Sequence, residues 1–245
     1  MKVRMLSAHA SDFAKMNASE LTESIRAARG RTLAVEVICT YQSPVDDVTH
    51  GEIAAGMGAD IIVLDRYDSL KPDINNAPPE IISAQEPLKE YKRLLGRPVG
   101  INMVVANPKA DSQLSGRLVN DANVERAVTQ GADIIFLYSR PQIGGTPKKM
   151  KIAAKALYQQ YGENVMIVGV PSFTTPPPRT SDMAILFSQE TRALLDAGCH
   201  AIGLPMPGSH QGWQLEFTAD VIDSIHQDGG LAWLFVTGSV EGSPK

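Results

Sequence analysis

A seven-residue phrase occurs three times in this chain and constrains its fold more than any other feature. Each copy begins with glycine, continues with a small residue and a polar one, and ends in an apolar run. The copies are Gly58 to Leu64, Gly131 to Leu137 and Gly198 to Leu204. Each follows an amphipathic helical stretch, so we expect the glycine to end that helix in the left-handed conformation. The apolar run then predicts a buried strand of an α/β protein.

The spacing of the phrase predicts a TIM (β/α)8-type barrel. Successive copies lie about two βα units apart, so the phrase marks the start of every second strand. Seven βα strands are countable: Leu33 to Thr40, Asp60 to Leu64, Val99 to Val105, Asp133 to Tyr138, Val165 to Val170, Ala201 to Leu204 and Leu231 to Val236. We expect a single barrel domain over residues 1–245, in which residues 1–30 form an N-terminal helical extension.

The eighth βα unit of such a barrel is missing from the sequence. Ser243 followed by Pro244 has the pattern of a helix N-cap and a first helical residue, yet the sequence stops at Lys245. We interpret this as truncation of a full barrel. The alternative is an incomplete barrel that something else closes, and the strand edges that it would expose argue against it.

Composition and charge exclude several classes of partner. The 245 residues carry a net charge of −4 and no long run of Lys or Arg, so we expect no nucleic-acid partner. No apolar run reaches the roughly 20 residues that span a bilayer, and residues 1–10 lack the apolar stretch of a signal peptide. Cys39 and Cys199 lie in predicted strands, and we interpret them as reduced core residues of a cytoplasmic protein. We also expect a homo-oligomer.

Polar side chains on the predicted strands and just after them are the candidate catalytic residues, because a β/α barrel carries its chemistry at the carboxyl ends of its strands. Glu36 lies inside an apolar strand, Asp65 directly follows the second strand, and Asn102 lies within the third. His210 and Glu241 follow the sixth and seventh strands. We predict that Glu36 or Asp65 is an acid, a base or a metal ligand and that Asn102 orients the substrate. An ion pair of Glu36 with Arg66 or Arg140 is the alternative, since a buried carboxylate must be paired, protonated or in contact with water.

A metal site is a further hypothesis at the end of the second strand. Asp65 and Asp68 lie three residues apart, and carboxylate oxygens are the ligands that Mg2+ prefers. Mg2+ is therefore a possible cofactor. The alternative is that these carboxylates are solvated loop residues.

Three glycine-rich strand exits are candidate anion-binding sites. Glycine lets backbone N–H groups approach an anion, and neighbouring hydroxyls or a helix N-terminus add donors. The residues are Gly144, Gly145 and Thr146 after the fourth strand, Gly208 and Ser209 after the sixth, and Gly238 and Ser239 after the seventh. Barrel enzymes frequently hold a substrate phosphate in their last two loops, which favours a phosphate here. The alternative is that these residues are ordinary turn glycines and helix caps.

Several short segments together resemble an uncharacterised bacterial (β/α)8-barrel family whose members are sometimes labelled haloacid-dehalogenase-like hydrolases. The segments are Ser11 to Phe13, Met16-Asn17, Glu20-Leu21, Cys39-Thr40, Asp47 to Thr49, Gly96 to Asn102, Pro205 to Ser209 and Gly238 to Gly242. The hydrolase label is not supported, because Asp65 to Ser69 does not supply the Asp-x-Asp-x-Thr or Val motif of that class. The resemblance implies a barrel that continues through one more helix and a final strand ending in Gly-Asp, and it implies no reaction.

The leading functional hypothesis is a cytoplasmic barrel enzyme that acts on a small anionic metabolite, such as a phosphorylated sugar or a carboxylate. A Mg2+-dependent lyase or mutase that acts on a C–C or C–P bond is the alternative within enzymes. A non-catalytic ligand-binding or assembly protein is the alternative outside them. The sequence contains no Walker-type or dinucleotide-binding fingerprint, and the absence of a lysine at a strand end argues against a Schiff-base aldolase.

Overall fold

A computed structural model of the chain describes residues 3–107, 114–171, 175–177, 179–207, 213 and 215–235. The β-strands in these residues are β1 (Ala34–Ile38), β2 (Ile61–Asp65), β3 (Val99–Val104), β4 (Ile134–Tyr138), β5 (Met166–Val170), β6 (Ala201–Pro205) and β7 (Leu231–Phe235). The α-helices are α1 (Ala10–Phe13), α2 (Ala18–Ala27), α3 (His50–Gly56), α4 (Pro79–Ile82), α5 (Pro87–Leu95), α6 (Asp121–Thr129), α7 (Pro147–Tyr161), α8 (Ser181–Asp196) and α9 (Leu215–Gln227).

The strands follow one another in the sheet in their order along the chain, from β1 to β7. The pairs β1–β2, β2–β3, β5–β6 and β6–β7 are parallel. Consecutive parallel strands joined by helices are the arrangement of a β/α barrel, so the predicted fold class is confirmed, with seven of the eight strands in the described residues. No helix in this part of the chain is long and apolar enough to cross a membrane.

The chain divides into two compact units. The first draws on residues 1–104, 108–136 and 160–166, and the second on residues 105–107, 137–159 and 167–245. In the first unit every residue of β3 is buried, as are the first four residues of β2. In the second unit β5 and β6 are buried throughout, and Phe187 packs edge to face against Trp213 with ring centroids 5.1 Å apart. Each unit therefore has its own apolar core.

The N-terminal extension contains two helices, α1 and α2. Asn17 has extended backbone angles, and its side chain accepts a hydrogen bond from the Glu20 backbone N–H. The Glu20 carboxylate in turn accepts from the Asn17 N–H at 3.1 Å. This capping box starts α2 at Ala18 and separates it from α1.

The glycine of each phrase ends its helix as predicted. The φ angles are +101° at Gly58, +99° at Gly131 and +103° at Gly198, values that a residue with a Cβ rarely adopts. The chain turns there and enters β2, β4 and β6. The repeated glycine is therefore a requirement of the backbone.

The polar residue of each phrase makes the same pair of hydrogen bonds. Its side chain accepts a hydrogen bond from the backbone N–H of a residue near the start of the preceding odd-numbered strand. Its own backbone N–H donates to the carbonyl of that strand residue. The pairs are Asp60 with Leu33, Asp133 with Val99, and His200 with Ile167 through Nδ1, at 2.8 to 3.0 Å. The residue at the third position of the phrase thus bonds to the start of the neighbouring strand. In the third copy the acceptor is the Nδ1 atom of His200 instead of a carboxylate oxygen.

Replacing these glycines with alanine is expected to separate backbone strain from packing. Gly58→Ala should cost about 1–2 kcal/mol, because a Cβ there meets nothing within 4 Å and only the left-handed backbone is unfavourable. Gly131→Ala should cost roughly 1–3 kcal/mol more, because its Cβ would lie 2.8 Å from the backbone nitrogen of Lys89. Urea denaturation of both variants measures the difference. Equal losses would show that the contact with Lys89 relaxes without cost.

Candidate active site

Three predicted site residues, Glu36, Asp65 and Asn102, meet in the first unit. They lie on β1, β2 and β3, where Glu36 is in register with Val63 and Ile38 with Asp65. Because side chains alternate along a strand, Glu36 and Asp65 project from the same face of the sheet. The Asn102 amide Nδ2 donates to Glu36 Oε2 at 3.0 Å and to Asp65 Oδ1 at 3.2 Å. One amide group therefore holds the two carboxylates together.

Arg117, which the sequence analysis missed, completes this cluster. Its Nη2 lies 3.4 Å from Asp65 Oδ1, and the two side chains are only 14% and 18% exposed. The stretch that carries it runs beside the end of β3, where the Val104 N–H donates to the Arg117 carbonyl and Leu118 forms a parallel bridge with Val104. A charged residue directly before Leu118 and Val119 was the available signal, because such a pattern indicates a short strand.

Buried hydrogen bonds fix Arg117 relative to β2. The Ser69 hydroxyl donates to the Gly116 carbonyl at 2.8 Å, next to Arg117 in the chain. The Gln130 amide donates to the Ser69 carbonyl and accepts from the Tyr67 hydroxyl, both at 3.0 Å. The loop after β2 and the stretch that carries Arg117 are therefore tied together. This arrangement fixes the backbone next to Arg117.

Arg66 supplies a second cation at the edge of the cluster. Its Nε lies 3.8 Å from Asp65 Oδ2, and its side chain is 47% exposed. The guanidinium carbon lies 5.0 Å from the centroid of the Tyr41 ring, which is a cation–π contact. Arg66 also has a φ of +63°, which is unusual for a residue other than glycine.

The Glu36 carboxyl group has a pKa above its ordinary value of 4.5. Burial of the carboxyl group among protein atoms is the main cause, and the nearby charge of Asp65 adds to it, whereas the hydrogen bond from Asn102 opposes it. Glu36 as a residue remains exposed, so a small molecule can reach it. A reachable carboxyl group whose pKa is raised is suited to taking up and returning a proton.

Cys39 lies beside this cluster without being part of its chemistry. Its thiol is buried and donates to the Asp65 carbonyl at 3.1 Å. Burial, with the charges of Asp65 and Asp73 adding to it, raises the pKa of Cys39 to about 12, so the thiol stays protonated. Burial likewise raises the pKa of Cys199 to about 12. Both cysteines are buried and free, which agrees with the interpretation of core residues.

Comparison with known sequences places the chain in a family. The profile of Domain of unknown function (DUF7916) matches residues 6–245. The chain belongs to this family. No curated protein sequence matches it.

Solved structures share the fold of the DUF7916 chain at low sequence identity. A 2,3-dimethylmalate lyase, a member of the PEP mutase/isocitrate lyase superfamily, has a TM-score of 0.52 and 12% identity over 91% of this chain and 82% of that one. The carboxyl transferase domain of Rhizobium etli pyruvate carboxylase, solved with pyruvate and biocytin, has a TM-score of 0.51 and 14% identity. That alignment covers 90% of this chain, which spans only 35% of the carboxyl transferase chain. These likenesses show the fold.

The predicted metal ligands of the DUF7916 chain do not fit Mg2+. Asp68 Oδ1 accepts from the backbone N–H groups of Leu70 and Lys71 at 2.8 and 3.3 Å, so this carboxylate forms a turn. Asp65 faces the guanidinium groups of Arg66 and Arg117, which supply the positive charge that a metal would otherwise bring. The described residues contain no group of three or more His, Cys, Asp or Glu side chains that could share a metal ion.

Adding Mg2+ is expected to leave the thermal stability of the DUF7916 chain unchanged. A ligand that binds the folded state at 100 times its Kd stabilises it by about 2.7 kcal/mol, whereas a cation with no site adds nothing specific. Differential scanning fluorimetry with millimolar MgCl2 and with matched CaCl2 and NaCl controls measures this. A rise in Tm that Mg2+ alone produces, and that Asp65→Asn abolishes, would contradict the interpretation.

The glycine-rich exit after β4 is occupied by contacts within the second unit. Gly144 has a φ of +80°, and a Cβ at that position would overlap the Asn107 side chain. Thr146 caps α7 by accepting from the Lys149 N–H at 3.2 Å, as the sequence predicted. Lys149 Nζ donates to the Gly144 carbonyl at 2.8 Å and to Asn107 Oδ1. A Cβ at Gly145 would overlap the Ser139 hydroxyl. Local packing therefore accounts for Gly144, Gly145 and Thr146, and their binding of an anion stays a prediction.

The remaining predicted site residues lie outside the described part of the chain. They are Gly208, Ser209, His210, Gly238, Ser239 and Glu241. Their assignment as anion-binding or catalytic residues stays a prediction from the sequence.

Proposed function

We propose that this DUF7916 chain is a lyase that breaks or forms a carbon–carbon bond in a small carboxylate anion, with Glu36 as the group that moves the proton. The observation that carries the proposal is the hydrogen-bonded cluster on β1 to β3, in which Asn102 holds the Glu36 carboxyl group beside the ion pair of Asp65 and Arg117. Glu36, Asp65 and Asn102 come from three consecutive strands, whose backbones hold them more firmly than loops would.

The charge of the cluster favours a reaction in which negative charge develops. Once Glu36 has taken up a proton, the one negative charge of Asp65 faces the two positive charges of Arg66 and Arg117. The excess positive charge then stabilises negative charge that develops on an oxygen during the reaction. An enolate is such a species, and it forms when a carbon–carbon bond next to a carbonyl group is broken.

Glu36 has the properties that both proton transfers of such a cleavage need. In the cleavage direction the Glu36 carboxylate takes the proton from a substrate hydroxyl, the hydroxyl carbon becomes a carbonyl, and the adjacent C–C bond breaks. The electron pair of that bond becomes the enolate of the second product. Glu36 then returns its proton to the enolate carbon, so no net proton is gained or lost. A carboxyl group with a raised pKa can act first as the base and then as the acid.

The likeness in fold supports a lyase over the phosphorylated-metabolite hypothesis. One of the similar solved structures is named a lyase, and the other was solved with pyruvate, a small 2-oxo acid. The phosphate hypothesis depended on glycine-rich exits, of which two lie outside the described residues and the third is packed against its neighbours. The proposal takes no step through a metal, because Asp65 faces arginines and Asp68 forms a turn.

Hydrogen–deuterium exchange at carbon tests the proposal without knowledge of the full substrate. An enzyme that forms an enolate should exchange the methyl or methylene hydrogens of a small 2-oxo acid in D2O, which proton NMR follows directly. We expect the protein to accelerate exchange in at least one member of a panel containing pyruvate, 2-oxobutyrate and oxaloacetate. Exchange at the rate of buffer for the whole panel would contradict the proposal.

A further inference from the structure

Arg66 has a backbone conformation that is unusual for a residue other than glycine. It follows Asp65 at the end of β2 with a φ of +63°, a region in which glycine is favoured. A residue other than glycine in this region carries local strain, and Arg29, Asp47 and Asn76 also have positive φ angles. Arg66 presents its side chain at the edge of the Glu36 cluster.

Within the described residues, no hydrogen bond uses the donors of the Arg66 guanidinium. The Nε atom lies 3.8 Å from Asp65 Oδ2, which is too long for a hydrogen bond. Asp65 directs its other oxygen to Asn102 and Arg117. The guanidinium carbon lies over the Tyr41 ring, 5.0 Å from its centroid, and this contact uses none of the N–H donors.

The turn at the end of β1 positions the Tyr41 ring. Its N–H donates to the Ile38 carbonyl at 3.2 Å, so the ring is carried by the turn that ends β1. Tyr41 is 50% exposed and the Arg66 side chain 47%, so the pair faces solvent while it borders the buried cluster. The planar guanidinium group of an arginine matches the planar, two-oxygen geometry of a carboxylate.

We infer that Arg66 and Tyr41 form the binding site for the carboxylate group of the substrate. This inference rests on the proposed function in one respect, namely that the bound carboxylate is the one whose neighbouring carbon exchanges its proton with Glu36. The inference adds to the proposed function the group that is recognised. This group is the planar carboxylate of a small monocarboxylic or dicarboxylic acid, which the N–H donors of the Arg66 guanidinium bind. Neither residue was assigned a ligand by the sequence analysis.

Binding of oxalate, measured by isothermal titration calorimetry, tests this inference. Arg66→Gln should weaken oxalate binding at least tenfold, and Tyr41→Leu should weaken it several-fold because the guanidinium loses its platform. Arg93→Gln is the matched control, since Arg93 is an exposed arginine on α5 that pairs with Glu90, and it should bind oxalate like the unmodified protein. Oxalate binding that survives Arg66→Gln, or tighter binding of inorganic phosphate than of oxalate, would overturn the inference.

A glycine variant separates a binding role from a structural one. Arg66→Gly suits the positive φ, so its Tm should equal or exceed that of the unmodified protein while oxalate binding is lost. A lower Tm would show that Arg66 stabilises the fold, and would overturn the inference.

A variant of Glu36 separates this inference from the proposed function. Glu36→Gln should bind oxalate and fail to exchange protons. If Arg66→Gln abolishes binding while Glu36→Gln still exchanges protons, the carboxylate site stands and the proposed function fails. If Glu36→Gln abolishes proton exchange but Arg66→Gln leaves oxalate binding unchanged, the proposed function stands and this inference fails.

Discussion

Glu36→Gln is expected to slow proton exchange at carbon by at least about 100-fold, the effect of removing one general acid or base. Glutamine keeps an oxygen that can accept from the Asn102 amide, so the geometry of the cluster should survive. What is lost is the ability to hold a proton. Glu90→Gln is the matched control, because Glu90 is a glutamate on the surface of α5 that pairs with Arg93. Equal exchange by Glu36→Gln and the control would contradict the role of Glu36.

The same variant is expected to be more stable than the unmodified protein at neutral pH. The folded state binds the Glu36 proton more tightly than the unfolded chain does, because the pKa is raised above 4.5 on folding. The free energy of unfolding therefore falls as pH rises from 4.5 through the raised pKa, and glutamine removes this loss. Solvent screens the exposed residue, so the gain should be small, about 1–3 °C in Tm at pH 8. Calorimetry at pH 8 and pH 4 measures it, and a lower Tm than the unmodified protein at pH 8 would contradict the account.

Asp133→Ala is expected to be the most damaging change outside the candidate active site, at about 3–5 kcal/mol. Asp133 Oδ1 lies 2.6 Å from Lys92 Nζ, and the two side chains are 12% and 15% exposed. Asp133 Oδ2 also accepts from the Val99 N–H at 2.9 Å. The variant leaves a mostly buried ammonium without its carboxylate and the first N–H of β3 without its acceptor. Chemical denaturation monitored by circular dichroism measures the loss.

Two further variants identify the cause of that loss. Asp60 occupies the same position in its phrase and accepts from the Leu33 N–H, but no ion pair involves it in the described residues, so Asp60→Ala should cost only about 1 kcal/mol. The double variant Lys92→Met, Asp133→Leu removes both charges and should recover much of the stability lost in Asp133→Ala. An Asp133→Ala cost equal to that of Asp60→Ala would show that the buried pair contributes nothing.

The repeated phrase was sufficient to predict where the candidate site lies. It fixed the start of β2, β4 and β6, and therefore which polar residues fall on strands and which on loops. Glu36, Asp65 and Asn102 were predicted from the strand pattern that follows from this phase. They meet because side chains at register positions two residues apart project from the same face of neighbouring parallel strands. Side chains on a strand have regular positions, so the periodicity of a sequence can predict where they lie.

The residues that the sequence did not reveal are placed by loops. Arg117 reaches Asp65 because Ser69 bonds Gly116, a contact between segments about 47 residues apart that no local pattern predicts. The positive φ of Arg66 was equally hidden, since such conformations are expected at glycine. Asp68 differs from both, because a short-range turn uses one of its carboxylate oxygens.

The central claim is that the Glu36 carboxyl group is a proton carrier held by Asn102, and carbon-13 NMR of the glutamate side-chain carboxyl groups tests it most directly. The Glu36 signal, assigned by its disappearance in Glu36→Gln, should titrate with a midpoint above 4.5. The midpoint should rise further in Asn102→Ala, because the amide hydrogen bond favours the charged form. A Glu36 midpoint at or below 4.5 would contradict the account.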